Sequence, residues 1–76
     1  MLSKETLNYS ISQAKKFIEG KEANGEVISY EVNHATKTLI KASAVLTSPD
    51  SRVLDIELAD CEITYSINQL INEKVL

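Results

Sequence analysis

The sequence is poor in the residues that build disulfide scaffolds, metal sites and phosphate loops. Its 76 residues include one cysteine, one histidine, one proline, two glycines and no tryptophan. A lone cysteine cannot form an internal disulfide bond, and such cysteine usage favours a cytosolic protein. A structural zinc site needs about four Cys or His ligands, which this chain lacks. Two glycines leave no glycine-rich loop to hold a phosphate group.

Basic residues and long apolar runs are also scarce. Eight Lys and Arg face eleven Asp and Glu, so the net charge is −3. Nucleic acids and anionic membranes attract clustered Lys and Arg, so neither is an expected partner. No run of 18 apolar residues predicts a transmembrane helix, and no basic segment followed by an apolar stretch predicts a signal peptide. We therefore expect a cytoplasmic protein.

The remaining composition is that of an ordinary globular domain, with 43% hydrophobic and 25% charged residues. We predict a single domain over residues 1–76. A folded chain of this mass exposes about 4,600 Å² of surface. Hydrophobic burial and the conformational entropy cost nearly cancel in a domain this small, so association with another copy is expected to add stability.

The N-terminal segment has the pattern of a helix over residues 4–19. Ser3 is a suitable N-cap, and Gly20 stands where a glycine often follows a helix end. Apolar residues fall on one helical face between these two signals: Leu7, Ile11, Ala14 and Ile18.

Three segments that follow alternate between apolar and other residues, which is typical of β-strands. They cover residues 26–32, 38–47 and 52–59. The residues expected on the shared, core-facing side of the sheet are Ile28, Tyr30, Val32, Ile40, Ala42, Ala44, Leu46, Leu54, Ile56 and Leu58. The pattern predicts a three-stranded antiparallel meander.

The middle segment also allows a second interpretation. Thr36 could cap a helix over residues 37–46, which would give a βαβ-like unit. A strand register with Ala44 opposite Leu54 favours the meander, because it also sets Lys41 opposite Glu57. The same register places Val45 opposite Val53.

The C-terminal segment predicts a helix over residues 61–75, capped by Asp60. Its apolar stripe consists of Ile63, Ile67, Leu70 and Ile71. The predicted fold is therefore α+β, with an N-terminal helix, the meander and a C-terminal helix. Both helices are expected to cover one sheet face, whose core residues are Ile28, Tyr30, Ile40, Ile56 and Leu58.

Residues that could carry chemistry are isolated. His34 lies in a predicted turn with no partner residue for acid–base catalysis. Cys61 begins a predicted helix, where the dipole favours a thiolate, but the carboxylates of Asp60 and Glu62 oppose it. The acidic segment 50–62 lacks the spacing of a calcium loop and fits a solvated face, with nucleic-acid mimicry as the alternative. No catalytic residue, metal ligand or cofactor is predicted.

A protein partner is the expectation that remains. Two helices cannot cover both faces of the predicted sheet, so a valine row would stay exposed. Exposed tyrosines on the helices are a further sign of an interface. The predicted interface residues are Val27, Leu39, Val45, Val53, Tyr9 and Tyr65. We predict a small acidic non-enzymatic protein-binding module that regulates or inhibits a larger protein as a homodimer. The alternative is a structural subunit of an assembly such as a phage particle.

Overall fold

Three α-helices account for most of the chain. A computed structural model describes residues 3–76 and places α1 at Lys4–Ala23, α2 at Tyr30–Thr47 and α3 at Val53–Asn72. No β-strand occurs within residues 3–76. The predicted α+β fold with its meander is therefore wrong. The helices form an elongated bundle that measures 41 × 18 × 17 Å.

The segments predicted as strands all contribute to helices. Residues 26–32 form the end of the first linker and the first turn of α2, and residues 52–59 are mostly the start of α3. Residues 38–47 lie within α2, which agrees with the alternative prediction of a helix in the middle segment. The βαβ-like unit of that alternative is wrong as well, because neither flanking strand exists.

The inward-facing positions of α2 and α3 follow the spacing of paired helices rather than that of strands. Apolar or small residues recur at alternating intervals of three and four residues, which keeps one side of a helix against a neighbour. These positions are Val32, Ala35, Leu39, Ala42 and Leu46 in α2, and Ile56, Ala59, Ile63, Ser66 and Leu70 in α3. The spacing explains why both segments fold as helices.

The apparent alternation at residues 54–58 has a simple cause. Leu54 and Leu58 are four residues apart and exposed on one side of α3, whereas Ile56 between them lies on another side and is partly buried. Residues on two different faces of one helix thus produce a period of two. Tyr30 and Leu58 are 74% and 61% exposed, so their assignment to the core is wrong. Ile40 is also exposed, and Ile28 and Ile56 are only partly buried. The buried apolar core consists of Leu7, Ala14, Val32, Ala35, Leu39, Ala42, Ala59, Ile63 and Leu70.

Two serines cap the first two helices. The Ser3 hydroxyl accepts a hydrogen bond from the Thr6 N–H at 3.1 Å, which confirms the predicted start of α1. The Ser29 hydroxyl accepts one from the Val32 N–H at 3.3 Å, and the sequence analysis did not identify this cap. Each bond satisfies a backbone donor that has no partner within the helix.

The third helix begins earlier than predicted. It starts at Val53, so Asp60 lies inside α3 and does not cap it. Arg52 occupies the N-cap position, and the Asp55 carboxylate accepts a hydrogen bond from the Arg52 N–H at 3.2 Å. The carboxylate also lies in the first turn, where the helix dipole favours negative charge.

The α1 helix ends at Ala23, with Asn24 as its C-cap, rather than before Gly20. Gly25 has φ of +71°, and its N–H donates to the Glu22 carbonyl at 3.0 Å. The Glu26 N–H donates to the Lys21 carbonyl at 2.9 Å, which completes a Schellman motif. An ion pair between Lys21 and Glu26, 3.4 Å long, spans the same turn.

Alanine substitutions at the two glycines test this helix end. Gly20→Ala should stabilise the protein by about 0.5–1 kcal/mol, because glycine is a poor residue inside a helix and the new methyl group meets no atom within 4 Å. Gly25→Ala should destabilise it by about 1 kcal/mol, because alanine is strained at positive φ. Urea unfolding followed by circular dichroism measures both free energies. If Gly20→Ala destabilised the protein and Gly25→Ala did not, α1 would end at Gly20.

Small side chains line the contact between α2 and α3, which pack more closely than α1 and α2 do. Ala35 and Ala42 from α2 and Ala59 and Ser66 from α3 are all buried. The hydroxyls of Ser66 and the buried Thr36 find no hydrogen-bond partner in the part of the chain that the structure describes. In the α2–α3 contact, Ser66 is therefore accommodated as a short side chain although its hydroxyl is unsatisfied, whereas Thr36 lies on the side of α2 that faces α1.

Candidate functional site

A second apolar stripe runs along α3 on the side opposite the core. Leu54, Leu58, Cys61 and Tyr65 are spaced by four, three and four residues, so they share one helical face. We call them the outer stripe. Leu54 is 77% exposed, Leu58 61% and Tyr65 66%, and Cys61 is exposed as well. A helix needs one apolar face to join a core, so the outer stripe is available for another contact.

A groove between α2 and α3 adjoins the outer stripe. Cys61 and Tyr65 line one side of it, and the α2 residues on the other side are His34, Thr38, Lys41, Ala42 and Val45. The groove is open to solvent and has a volume of about 680 Å³. We call the outer stripe and this groove together the open face. It is therefore a continuous surface contributed by two neighbouring helices.

The two helices bring opposite charges to the open face. Across Val53–Asn72, α3 carries no Lys or Arg, and its four acids are Asp55, Glu57, Asp60 and Glu62. In α2, Lys41 lines the groove together with Glu62, whereas Lys37 lines a different cavity between α1 and α2. Within residues 3–76 the only ion pair joins Lys21 and Glu26. Lys41 and Glu62 are thus free to pair with charges outside the chain.

The structure brings two of the six predicted interface residues together. Val45 and Tyr65 line the same groove, although they do so on helices and not on a sheet. Leu39 is fully buried in the core, with 0% exposure. The sheet face on which Leu39 was expected to be exposed does not exist.

The other three predicted interface residues lie apart from the groove. Val27 is 96% exposed in the linker between α1 and α2, and Tyr9 is exposed on α1. Val53 is 72% exposed in the first turn of α3. The valine row expected on the sheet is therefore dispersed over a linker and two helices.

Sequence reasoning missed Leu54 and Leu58, which it assigned to the strand core. The signal that identifies them was present, because Leu54, Leu58, Cys61 and Tyr65 keep helical spacing. The stripe became visible only once the strand assignment for residues 52–59 was removed.

The isolated candidates for chemistry lie in different surroundings from those expected. Cys61 is two turns inside α3, so the dipole at the helix start does not act on its thiol. His34 lies in α2 and not in a turn, and its ring stacks on Tyr30 with the ring centres 5.5 Å apart. From residue 3 to residue 76, no three His, Cys, Asp or Glu side chains gather as a metal site would require.

The helices in the described range do not combine the length and apolarity needed to cross a lipid bilayer. No protein-family model matches the chain, and comparisons with curated proteins and with solved structures likewise give no match.

Proposed function

We propose that the protein is a small non-enzymatic protein-binding module that regulates or inhibits a larger protein, with the open face as its contact surface. The observation that carries this proposal is the exposure of the outer stripe. Apolar residues at intervals of three and four are the usual means by which a helix contacts a partner. Clustered exposure of this kind marks interaction sites more often than isolated exposed residues do.

The charges beside the stripe support a protein partner in a further way. Lys41 on one side of the groove and Glu62 on the other form a polar rim beside Tyr65. Such a rim sets orientation and specificity while the apolar centre supplies affinity. The low cysteine content favours the cytosol as the place of action.

Substitution within the stripe tests the proposed contact surface. Leu58→Glu should lower the affinity for the captured partner by at least about tenfold, because it places a charge at the centre of an apolar contact. Tagged wild-type and variant chains would be incubated with lysate of the host cell, and the retained proteins quantified by mass spectrometry.

Val27→Glu is the matched control, since Val27 is equally apolar but lies in the linker away from the open face. It should retain the partner at the wild-type level, with circular dichroism showing that both variants remain helical. Equal retention by wild type and Leu58→Glu would contradict the proposal.

A structural subunit of an assembly is the second candidate, because the bundle is elongated and exposes much surface. Its accessible area is 5373 Å², compared with about 4,600 Å² expected for a compact chain of this mass. An assembly subunit should form open-ended oligomers whose mass grows with concentration, whereas a regulatory module should stop at a closed complex. Sedimentation velocity over a range of concentrations distinguishes the two.

A further inference from the structure

The solvent-accessible area of the chain is larger than expected for a compact protein of the same mass. The difference between 5373 Å² and the expected area amounts to roughly 800 Å². This is about the area that each partner buries in a protein–protein interface of standard size. A single such interface would therefore bring the exposed area to the ordinary range for the chain.

The open face permits two symmetric ways of pairing with a second copy. Its two helices are joined by a short linker at residues 48–52 and run antiparallel. A two-fold axis perpendicular to the helices would lay α3 on the partner's α3 and α2 on the partner's α2. A two-fold axis parallel to the helices would lay α2 of each copy on α3 of the other.

Charge distinguishes between these arrangements. The perpendicular axis sets the acidic α3, with Glu62 on the groove, against a second acidic α3, and it sets the Lys41 side of α2 against the same side of the other copy. The parallel axis sets Lys41 against the acidic helix instead. Opposed like charges across an interface cost several kcal/mol, so the parallel axis is favoured.

We propose that a second copy of the chain covers the open face, related by a two-fold axis that runs parallel to α2 and α3. This inference rests on the proposed function, because it identifies one protein, a second copy of the chain, that binds the open face. The result is a four-helix arrangement of two α2–α3 pairs, with each α1 on the outside. The second copy and the larger protein then use the same open face, so they bind it in turn.

The symmetry also specifies contacts. An axis parallel to the helices preserves position along them, so residues at one level of the groove meet across the pair. Lys41 and Glu62 both line the groove, and each therefore lies near the opposite charge on the second copy. Leu58 and Val45 lie one helical turn closer to the linker than Glu62 and Lys41, and they meet in the same manner.

Molar mass by light scattering, with sedimentation equilibrium for the dissociation constant, tests the dimer. The wild type should have twice the chain mass of 8.4 kDa. Leu58→Glu should yield the monomer, and Val27→Glu should remain dimeric. Circular dichroism should show unchanged helix content in both variants.

A charge exchange tests the axis. Lys41→Glu should raise the dissociation constant of the dimer by about tenfold or more, because it opposes the partner's acids. The double variant Lys41→Glu with Glu62→Lys should recover most of the wild-type affinity. An unchanged dissociation constant for Lys41→Glu would overturn the parallel axis, because the perpendicular axis would set like charges of α2 against each other both before and after the change.

The outcomes separate this inference from the proposed function. A wild type that is monomeric at all concentrations overturns the second copy as occupant, while the capture experiment with Leu58→Glu still decides the proposed function. A dimer that Leu58→Glu leaves intact overturns pairing through the open face. Growth beyond the dimer overturns it in favour of the assembly subunit.

Discussion

Leu39→Ala is expected to remove about half or more of the free energy of unfolding. Leu39 has no exposed surface and lies near the middle of α2, on the side that faces the core. Truncation of a buried leucine costs about 2–5 kcal/mol through lost burial and the cavity left behind. Single domains have about 5–15 kcal/mol of stability in total, and a chain of this size lies at the lower end. Chemical denaturation followed by circular dichroism measures the loss.

The neighbouring residue provides the control. Ile40 is 37% exposed, so Ile40→Ala should cost about 1 kcal/mol, well below the loss at Leu39. A strand over residues 38–47 would give the opposite order, because Ile40 would face the core and Leu39 would face away. In the predicted meander Ile56 belongs to the core, so Ile56→Ala would be strongly destabilising. In the helical bundle Ile56 is only partly buried, so this substitution should cost less than Leu39→Ala.

Ala59→Leu is expected to destabilise the protein by about 1–3 kcal/mol or more. Ala59 is 1% exposed at the close contact between α2 and α3, and a larger side chain there must separate the helices or adopt a strained rotamer. The thermal midpoint measured by circular dichroism should fall by several degrees for each kcal/mol in a chain of this length.

Cys61→Leu is the matched control for the enlarged side chain, because position 61 is on the same helix but faces solvent. Its thermal midpoint should stay near the wild-type value in dilute protein, where the added side chain has no neighbour within the chain to displace. If Ala59→Leu were tolerated equally well, α2 and α3 would not approach each other closely at this level.

The ends of the sequence were easier to interpret than its middle. Ser3 and the apolar stripe of α1 agree on a helix, and the structure confirms its start. In the middle, alanines fit either a helix or a strand because their side chains are small. The Ser29 cap was overlooked because the segment around it was assigned to a strand. Asn33 and His34 resemble a turn in composition but lie within α2, where tertiary packing outweighs their weak helix preference.

Part of the candidate site was predicted, but the argument for it depended on an exposed sheet face that the structure does not have. Tyr65 was chosen as an exposed tyrosine on a helix, and it is exposed on a helix. Val45 was placed on an open sheet face, yet it lines the groove of the open face. Leu54 and Leu58 were missed although their helical spacing to Cys61 and Tyr65 was present, because their distance from Ile56 satisfies a strand as well as two faces of one helix.

The short linker between α2 and α3 affects how the chain folds and opens. Because residues 48–52 join the two most closely packed helices, most stabilising contacts in this pair form between segments near each other in sequence. Such local topology favours rapid folding, on microsecond to millisecond timescales. The α1 helix packs less extensively on α2, so hydrogen exchange should show it opening at a lower free energy than the α2–α3 hairpin. Since every residue of the open face belongs to the hairpin, transient opening of α1 leaves the binding surface assembled.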